Sequence, residues 1–143
     1  MAQRTVLVKS TPQGPIKKEW IIDAAIQPGM LVEYASGTRL QVLSATLDPA
    51  MRVVTEDFET SISGTYTSGD KVPFIVPAKG DEVMVWATSA AAATIAVTNT
   101  VFSDGNGFVH LGTAIAGFSG VAVALETVVL VANTPARIHV EVL

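Results

Sequence analysis

The stretch "YTSGDKVPFIVPAKGDEVMVW", residues 66–86, carries Gly-Asp twice, at Gly69-Asp70 and Gly80-Asp81, each followed one residue later by a valine. Read as chemistry, Asp70 and Asp81, with Glu82 beside them, are carboxylates that a small hydrolase would pair. Read as architecture, they are punctuation: glycine supplies a positive φ, and aspartate hydrogen-bonds its own backbone in a tight turn. An alternating apolar run follows each Gly-Asp, which favours the second reading and predicts strands over residues 72–76 and 83–86. Pro73 and Pro77 cannot donate to a ladder, so the strand between the two turns is expected at a sheet edge or a bulge.

Similar punctuation continues in both directions. Pro28-Gly29 has proline preset for position i+1 and glycine for i+2 of a type II turn. A strand over residues 30–34, a turn at Ser36-Gly37 and a strand over 39–44 then read as a β-hairpin. Asp48-Pro49 and Ser63-Gly64 bound a segment whose middle is ambiguous and reads as a longer loop. "SDGNG" at 103–107, with Gly105 and Gly107, predicts a hairpin between residues 98–102 and 108–111. Asn133-Thr134-Pro135 marks the last turn, and beyond it Ile138, Val140 and Val142 alternate with Arg137, His139 and Glu141. Only residues 90–93, four alanines, favour a helix by propensity, and β-branched neighbours limit it to about two turns. Short strands spaced about 8–12 residues apart are the pattern of a barrel or sandwich, so the expected class is all-β.

Composition says what kind of all-β protein this is. The 143 residues suit one domain, 49% of them are apolar, and only 15% are charged, against about 25% in ordinary soluble domains. Apolar runs such as 121–125 fall far below the roughly 20 residues of a membrane-crossing helix, so no membrane association is expected. A chain with so little charge and no such helix is expected to have part of its surface covered by other subunits, as an oligomer or a component of an assembly. With no cysteine, disulfides and thiolate metal sites are excluded. The first apolar run is too short for a secretory signal, which points to synthesis in the cytoplasm.

Charge is uneven along the chain. Residues 1–23 hold Arg4, Lys9, Lys17 and Lys18 against Glu19 and Asp23, a balance of +2, while residues 24–143 hold five basic and eleven acidic side chains, a balance of −6. Pro12, Gly14 and Pro15 stiffen the leader into extended conformations. These features predict an extended N-terminal arm over 1–23 and a compact body over 24–143. Residues 5–8 of the leader can add a strand to a sheet edge, its own or a neighbour's. Downstream of the prolines, residues 16–26 fit a helical turn or a strand equally well. Nucleic acid is a poor partner, because four cations without interleaved aromatics make a thin footprint and the acidic body repels phosphate.

Catalytic signatures fail one by one. His110 and His139 lie in strand-like segments without a second histidine at ligand spacing, and His139 falls on the polar face of the last strand, where solvent is expected. "GFSGV" at 117–121 lacks the final glycine of a nucleophile elbow. "GNGFVH" has histidine where a dinucleotide fingerprint needs glycine. No Asp-x-Asp pattern offers calcium a loop. No catalytic residue, metal or cofactor is expected.

Six stretches in order, "IQPGMLVE" at 26–33, "YTSGDKV" at 66–72, "PAKGDEV" at 77–83, "SDGNG" at 103–107, "GVAVALE" at 120–126 and "RIHVEV" at 137–142, resemble the head decoration, or capsid cement, proteins of tailed bacteriophages. The resemblance spans residues 24–143. It implies a small β-barrel or β-tulip-like domain, commonly trimeric, that binds the outside of a phage capsid, reinforces the head and catalyses nothing. The expected partner is the phage major capsid protein, and the expected location is the capsid exterior after synthesis in the bacterial cytoplasm. In residues 90–93 the chain departs from that family's more usual glycine-containing loop. Beyond the resemblance, the basic leader is expected to lie on capsid protein, with Arg4, Lys9, Lys17 and Lys18 meeting acidic surface and Trp20 as an aromatic anchor. Pro28, Gly29, Gly69, Asp70, Gly80, Asp81, Gly105 and Gly107 are expected to be structural turn residues. The competing readings are a carbohydrate- or host-surface-binding β-module, for which Trp20 and Trp86 are the only tryptophans, the Asp70/Asp81 hydrolase, and an oligonucleotide-binding barrel that the acidic body disfavours.

Overall fold

The structure, a computed structural model, describes residues 5–37, 39–44, 51–57, 59–112 and 120–143. Among these residues there is no helix, and the strands are β1 (Leu7–Lys9), β2 (Ile16–Ile22), β3 (Val32–Tyr34), β4 (Arg39–Val42), β5 (Val53–Val54), β6 (Lys71–Val76), β7 (Glu82–Ala87), β8 (Ala93–Ile95), β9 (Thr100–Ser103), β10 (Val109–Leu111), β11 (Ala122–Ala124), β12 (Val128–Leu130) and β13 (Ala136–Val142). The protein is an all-β barrel with additional strands.

Five strands close the barrel in the order β7-β10-β9-β11-β13, because β13 pairs back onto β7 from Ala136↔Ala87 to Glu141↔Glu82. β1 adds to β7 at Leu7↔Val83, beyond the stretch used by β10. A second sheet runs β3-β4-β2-β6-β5, and its outer strands meet through a bridge at Leu31↔Val53. The third piece is a two-stranded ribbon, β8 with β12.

Period-2 alternation explains how barrel and second sheet share one molecule. Val32, Val54 and Phe74 turn into the curl of the second sheet and pack with Ile22, Leu40, Tyr66 and Val72. Their chain neighbours Leu31, Val53 and Ile75 turn the other way and join Val83, Val85, Val101, Ile138 and Val140 in the barrel core. Truncating the fully buried Phe74 to alanine is expected to cost about 3–5 kcal/mol, since the cavity it leaves is walled by strands that cannot collapse.

Glycine lets the two units approach. The tip of the β9–β10 hairpin reaches the second sheet, where Gly107 donates to the Leu43 carbonyl at 3.3 Å and accepts from Leu31 N–H at 2.8 Å. A Cβ on Gly107, whose φ is +84°, would sit 3.1 Å from Met30 Cε and 3.3 Å from the Leu31 carbonyl. From the other side, the Pro28-Gly29 turn lies against β7: Trp86 N–H donates to the Gly29 carbonyl at 3.2 Å, and Trp86 Nε1 donates to the Pro28 carbonyl at 3.0 Å.

Several sequence expectations hold. The hairpins at 30–44 and around SDGNG form as β3–β4 and β9–β10, and in β13 Ile138, Val140 and Val142 are buried. Others are corrected. The leader is extended only in β1 and β2, because residues 11–14 between them make a turn in which Gly14, at φ +68°, donates to the Thr11 carbonyl at 2.9 Å, and it is not an arm set apart from a body beginning at residue 24. β1 is bonded to β7, and β2 lies inside the second sheet between β4 and β6, so residues 5–22 belong to both units. The strand between the two Gly-Asp turns, β6, is likewise interior. Pro73 is tolerated there because a strand residue points its N–H and C=O to the same side. Its carbonyl accepts Thr55 N–H at 3.0 Å on the side of β5, a strand of only two residues, so its missing donor faces the short partner. Residues 90–93 form no helix, and Ala93 opens β8, where long-range pairing with Leu130 outweighs local propensity. The Asp48-Pro49 turn and the Gly117-Phe118-Ser119 segment lie outside the described residues.

Candidate functional site

The two Gly-Asp motifs are copies of one turn. In residues 67–70, Asp70 N–H donates to the Thr67 carbonyl at 3.0 Å, Gly69 sits at φ +92°, and Asp70 Oδ2 reaches back to accept Thr67 N–H at 2.9 Å. In residues 78–81, Asp81 N–H donates to the Ala78 carbonyl at 3.0 Å, Gly80 sits at φ +90°, and Asp81 Oδ2 accepts Ala78 N–H at 2.8 Å. A third copy spans 96–99, with Asn99 Oδ1 accepting Ala96 N–H at 2.8 Å and Thr98, not glycine, at φ +74°. A fourth spans 27–30, where Gly29 sits at φ +95° and Met30 Sδ takes the place of the carboxylate, 3.3 Å from Gln27 N. Each turn leads into a strand: β3, β6, β7 and β9 begin one or two residues after it.

Asp70 and Asp81 therefore do not pair. They lie at opposite ends of β6, six residues that span about 20 Å at strand rise. Each carboxylate accepts a backbone N–H of its own turn, and Asp81, fully buried, accepts a further one from Thr11 at 2.8 Å. That bond fastens the Pro12-Gly14 bend of the leader to the start of β7. The carboxylate-pair hydrolase has no geometry to stand on.

The histidines are likewise apart. His110 pairs with Phe102 across the β9–β10 hairpin. His139 is half-buried rather than solvated, with Nε2 3.0 Å from Glu82 Oε1 but out of line for a hydrogen bond, while its N–H donates to Glu126 Oε1 at 2.9 Å. Glu82 also faces Lys9 at 3.7 Å. Among the described residues no three His, Asp or Glu side chains converge to hold a metal ion.

The expected capsid-facing residues spread over two strands. Arg4 lies outside the described residues. Lys9 on β1 is exposed and leans toward Glu82, and Lys17 and Lys18 are exposed on β2. Only Ile21 and Ile22 of β2 pair with β4, so among the described residues Ile16 to Trp20 are bonded on one edge, by β6. Lys17, Lys18 and Glu19 border a cleft of about 680 Å³ that Thr5, Leu7 and Glu56 close from the other side. Trp20 is half-buried, edge-on to Tyr34 with ring centroids 5.4 Å apart, and its Nε1 is shielded from water without an acceptor. Arg52 stacks over the far partner, 5.1 Å from the Tyr34 centroid. Glu19 and Lys71 pair at 3.3 Å on the rim of a second cleft that includes Trp20.

Two features had no sequence signal. Arg137, on the outward face of β13, sits over Trp86 with its Cζ 4.2 Å from the ring centroid and donates through Nη2 to the Ile62 carbonyl. Burial lowers its pKa below the ordinary guanidinium value, and Glu56 opposes that shift. Stacking of this kind is invisible to periodicity, because it depends on which strand β13 pairs with. The other is the outer face of the β8–β12 ribbon, where Val97, Val129 and Val131 are exposed.

No protein-family model matches this chain, and no curated protein matches it.

Proposed function

We propose that this protein is a structural component of a phage particle, a decoration protein that binds the outer surface of the capsid as a homo-oligomer, trimer favoured, and stabilises the head without catalysing a reaction. The observation that carries the reading is the role of the six stretches that resemble the decoration family: in this fold they are the joints at which turns feed strands, arranged around one β body. Residues 26–33, 66–72 and 77–83 contain three of the four matching turns, 103–107 is the hairpin tip that meets the second sheet, and 120–126 and 137–142 hold β11 and β13 of the barrel. Low charge suits a body that packs against copies of itself and a shell.

Attachment then takes a different form from a loose arm. β2 presents Lys17 and Lys18 from a strand whose outer edge, among the described residues, is unpaired up to Trp20, so these cations meet the acidic surface of the major capsid protein without the ordering cost of a flexible segment. Deleting the leader is a poor test, because it removes β1 and part of β2. The sharper one is co-sedimentation of Lys17→Glu/Lys18→Glu with purified phage heads. Occupancy is expected to fall at least about tenfold with unchanged circular dichroism, and more steeply as salt is lowered, since like charges then repel an acidic surface. Full occupancy by the variant would remove β2 from the contact, and no binding by the wild type would remove the capsid reading.

A carbohydrate- or host-surface-binding module is the second reading. It is favoured by one observation, the shielded Trp20 Nε1 without an acceptor beside Tyr34 and the Glu19–Lys71 pair. Glycan binding that Trp20→Ala abolishes, with head binding absent, would decide for it.

A further inference from the structure

We infer that the outer face of the β8–β12 ribbon is a contact between copies of this chain. The inference rests on the assembly reading above only for the existence of a second copy, and it requires no capsid.

β8 and β12 pair only with each other among the described residues, so the ribbon keeps both outer edges. Its inner face covers the barrel end with Ile95 and Leu130, both buried, and its outer face carries Thr94, Val97, Val129 and Val131. Val129 is 72% exposed, Val131 65% and Val97 50%. In β13 the same alternation puts Arg137, His139 and Glu141 outward. In β12 and its flank the outward positions are valines.

The ribbon strands themselves carry no charge: residues 83–103 and 127–136, which contain both strands and their near flanks, hold no Asp, Glu, Lys or Arg, and exposed Glu126 borders them beside Thr127. A partner seated on the valines finds nothing there to pair with a charge, so the centre of its own matching surface must be uncharged. On a chain of net charge −4, the ribbon and its alanine-rich flank, with exposed Ala90, Ala91 and Ala92, make such a surface, and two copies meeting on the valines keep their carboxylates at the border, at Glu126. An exposed apolar edge of this kind pairs indiscriminately unless it is covered from the time the chain folds. The occupant that is always present at that time is another copy. The cations of β2 remain available on the other sheet for a different partner. A standard interface takes about 800 Å² from each side, more than three valines supply, so the ribbon is its apolar centre and Thr94, Thr127 and the alanines its surround.

Native mass spectrometry and sedimentation velocity test this on the whole protein. The wild type is expected at a multiple of 14.9 kDa, and Val129→Glu/Val131→Glu at 14.9 kDa with the circular dichroism spectrum of the wild type. Should the charged pair disturb folding, Val129→Thr/Val131→Thr keeps β-branched side chains at both positions and is expected to weaken association about tenfold or more. A wild type that stays monomeric, or a folded variant that assembles as the wild type does, overturns the inference. Heads added in a separate arm keep the two ideas distinct: assembly without head binding ends the decoration reading and leaves the ribbon contact standing.

Discussion

Asp70 and Asp81 occupy the same position of the same turn, yet one is exposed and the other buried. Asp70 satisfies only its own turn, through Thr67 N–H and the Thr67 hydroxyl at 3.1 Å. Asp81 satisfies its own turn and also the leader, through Thr11 N–H. A local motif thus becomes a long-range fastener when a second segment is laid over it. The energy it carries depends on that cover, not on its sequence.

The comparison predicts a graded series. Asp81→Ala strands two part-buried N–H groups, of Thr11 and Ala78, that a fully buried carboxylate now serves, and it is expected to cost about 2–3 kcal/mol in denaturant unfolding. Should Asp81→Ala cost no more than Asp70→Ala, burial would not be what separates the turns. The anchor of the exposed turn lies just outside it, at Tyr66, whose ring is buried and whose hydroxyl donates to the Thr55 carbonyl at 2.8 Å. Burial first, then the negative charge of Asp57 and Glu56, pushes the Tyr66 pKa up from its ordinary value of 10.0. The folded state therefore holds this proton more tightly than the unfolded chain, so the contribution is complete below pH 10 and is lost as pH rises beyond it. Stability measured from pH 9 to 12 is expected to decline in the wild type and to flatten in Tyr66→Phe, which should cost about 1 kcal/mol at neutral pH.

The third copy of the turn reverses the sign. Thr98 is β-branched at φ +74°, where glycine stands in the other three, so Thr98→Gly is expected to raise stability by about 0.5–1 kcal/mol in thermal unfolding. A loss would mean that the Thr98 side chain makes a contact worth more than its strain. Asp70→Ala should move the midpoint least, by about 0.5 kcal/mol or less, since water replaces the carboxylate at both donors.

These turns are also where the sequence was most informative. Gly-Asp, Pro-Gly and Asp-Gly-Asn-Gly act through the φ of one residue and a bond to a neighbour, so they are legible without knowing the fold. The turn at 96–99 escaped notice because Thr98 hides a left-handed position behind a strand-forming residue. Pairing over distance was less legible. That β2 sits inside the second sheet depends on residues 71–76, and that Ala93 starts a strand depends on Leu130. Of the surface residues chosen for charge, Lys17 and Lys18 share a strand with Trp20, whereas Lys9 lies on β1 against Glu82. Charge counts along a chain do not say which strand a lysine rides on. The Arg137–Trp86 stack and the valine face of the ribbon were illegible for the same reason.

The pairing of β7 has a kinetic consequence. This one strand receives β1 from the leader, β10 from the middle and β13 from residues 136–142, and the barrel is open until the last of them arrives. A ribosome that has released residues 1–100 has made β7 but neither β10 nor β13, so its edge toward β13 has no partner. The barrel therefore closes only after residues 136–142 have been made, by a pairing that spans about fifty residues. With most contacts spanning long sequence separations, folding belongs to the slow regime of milliseconds to seconds.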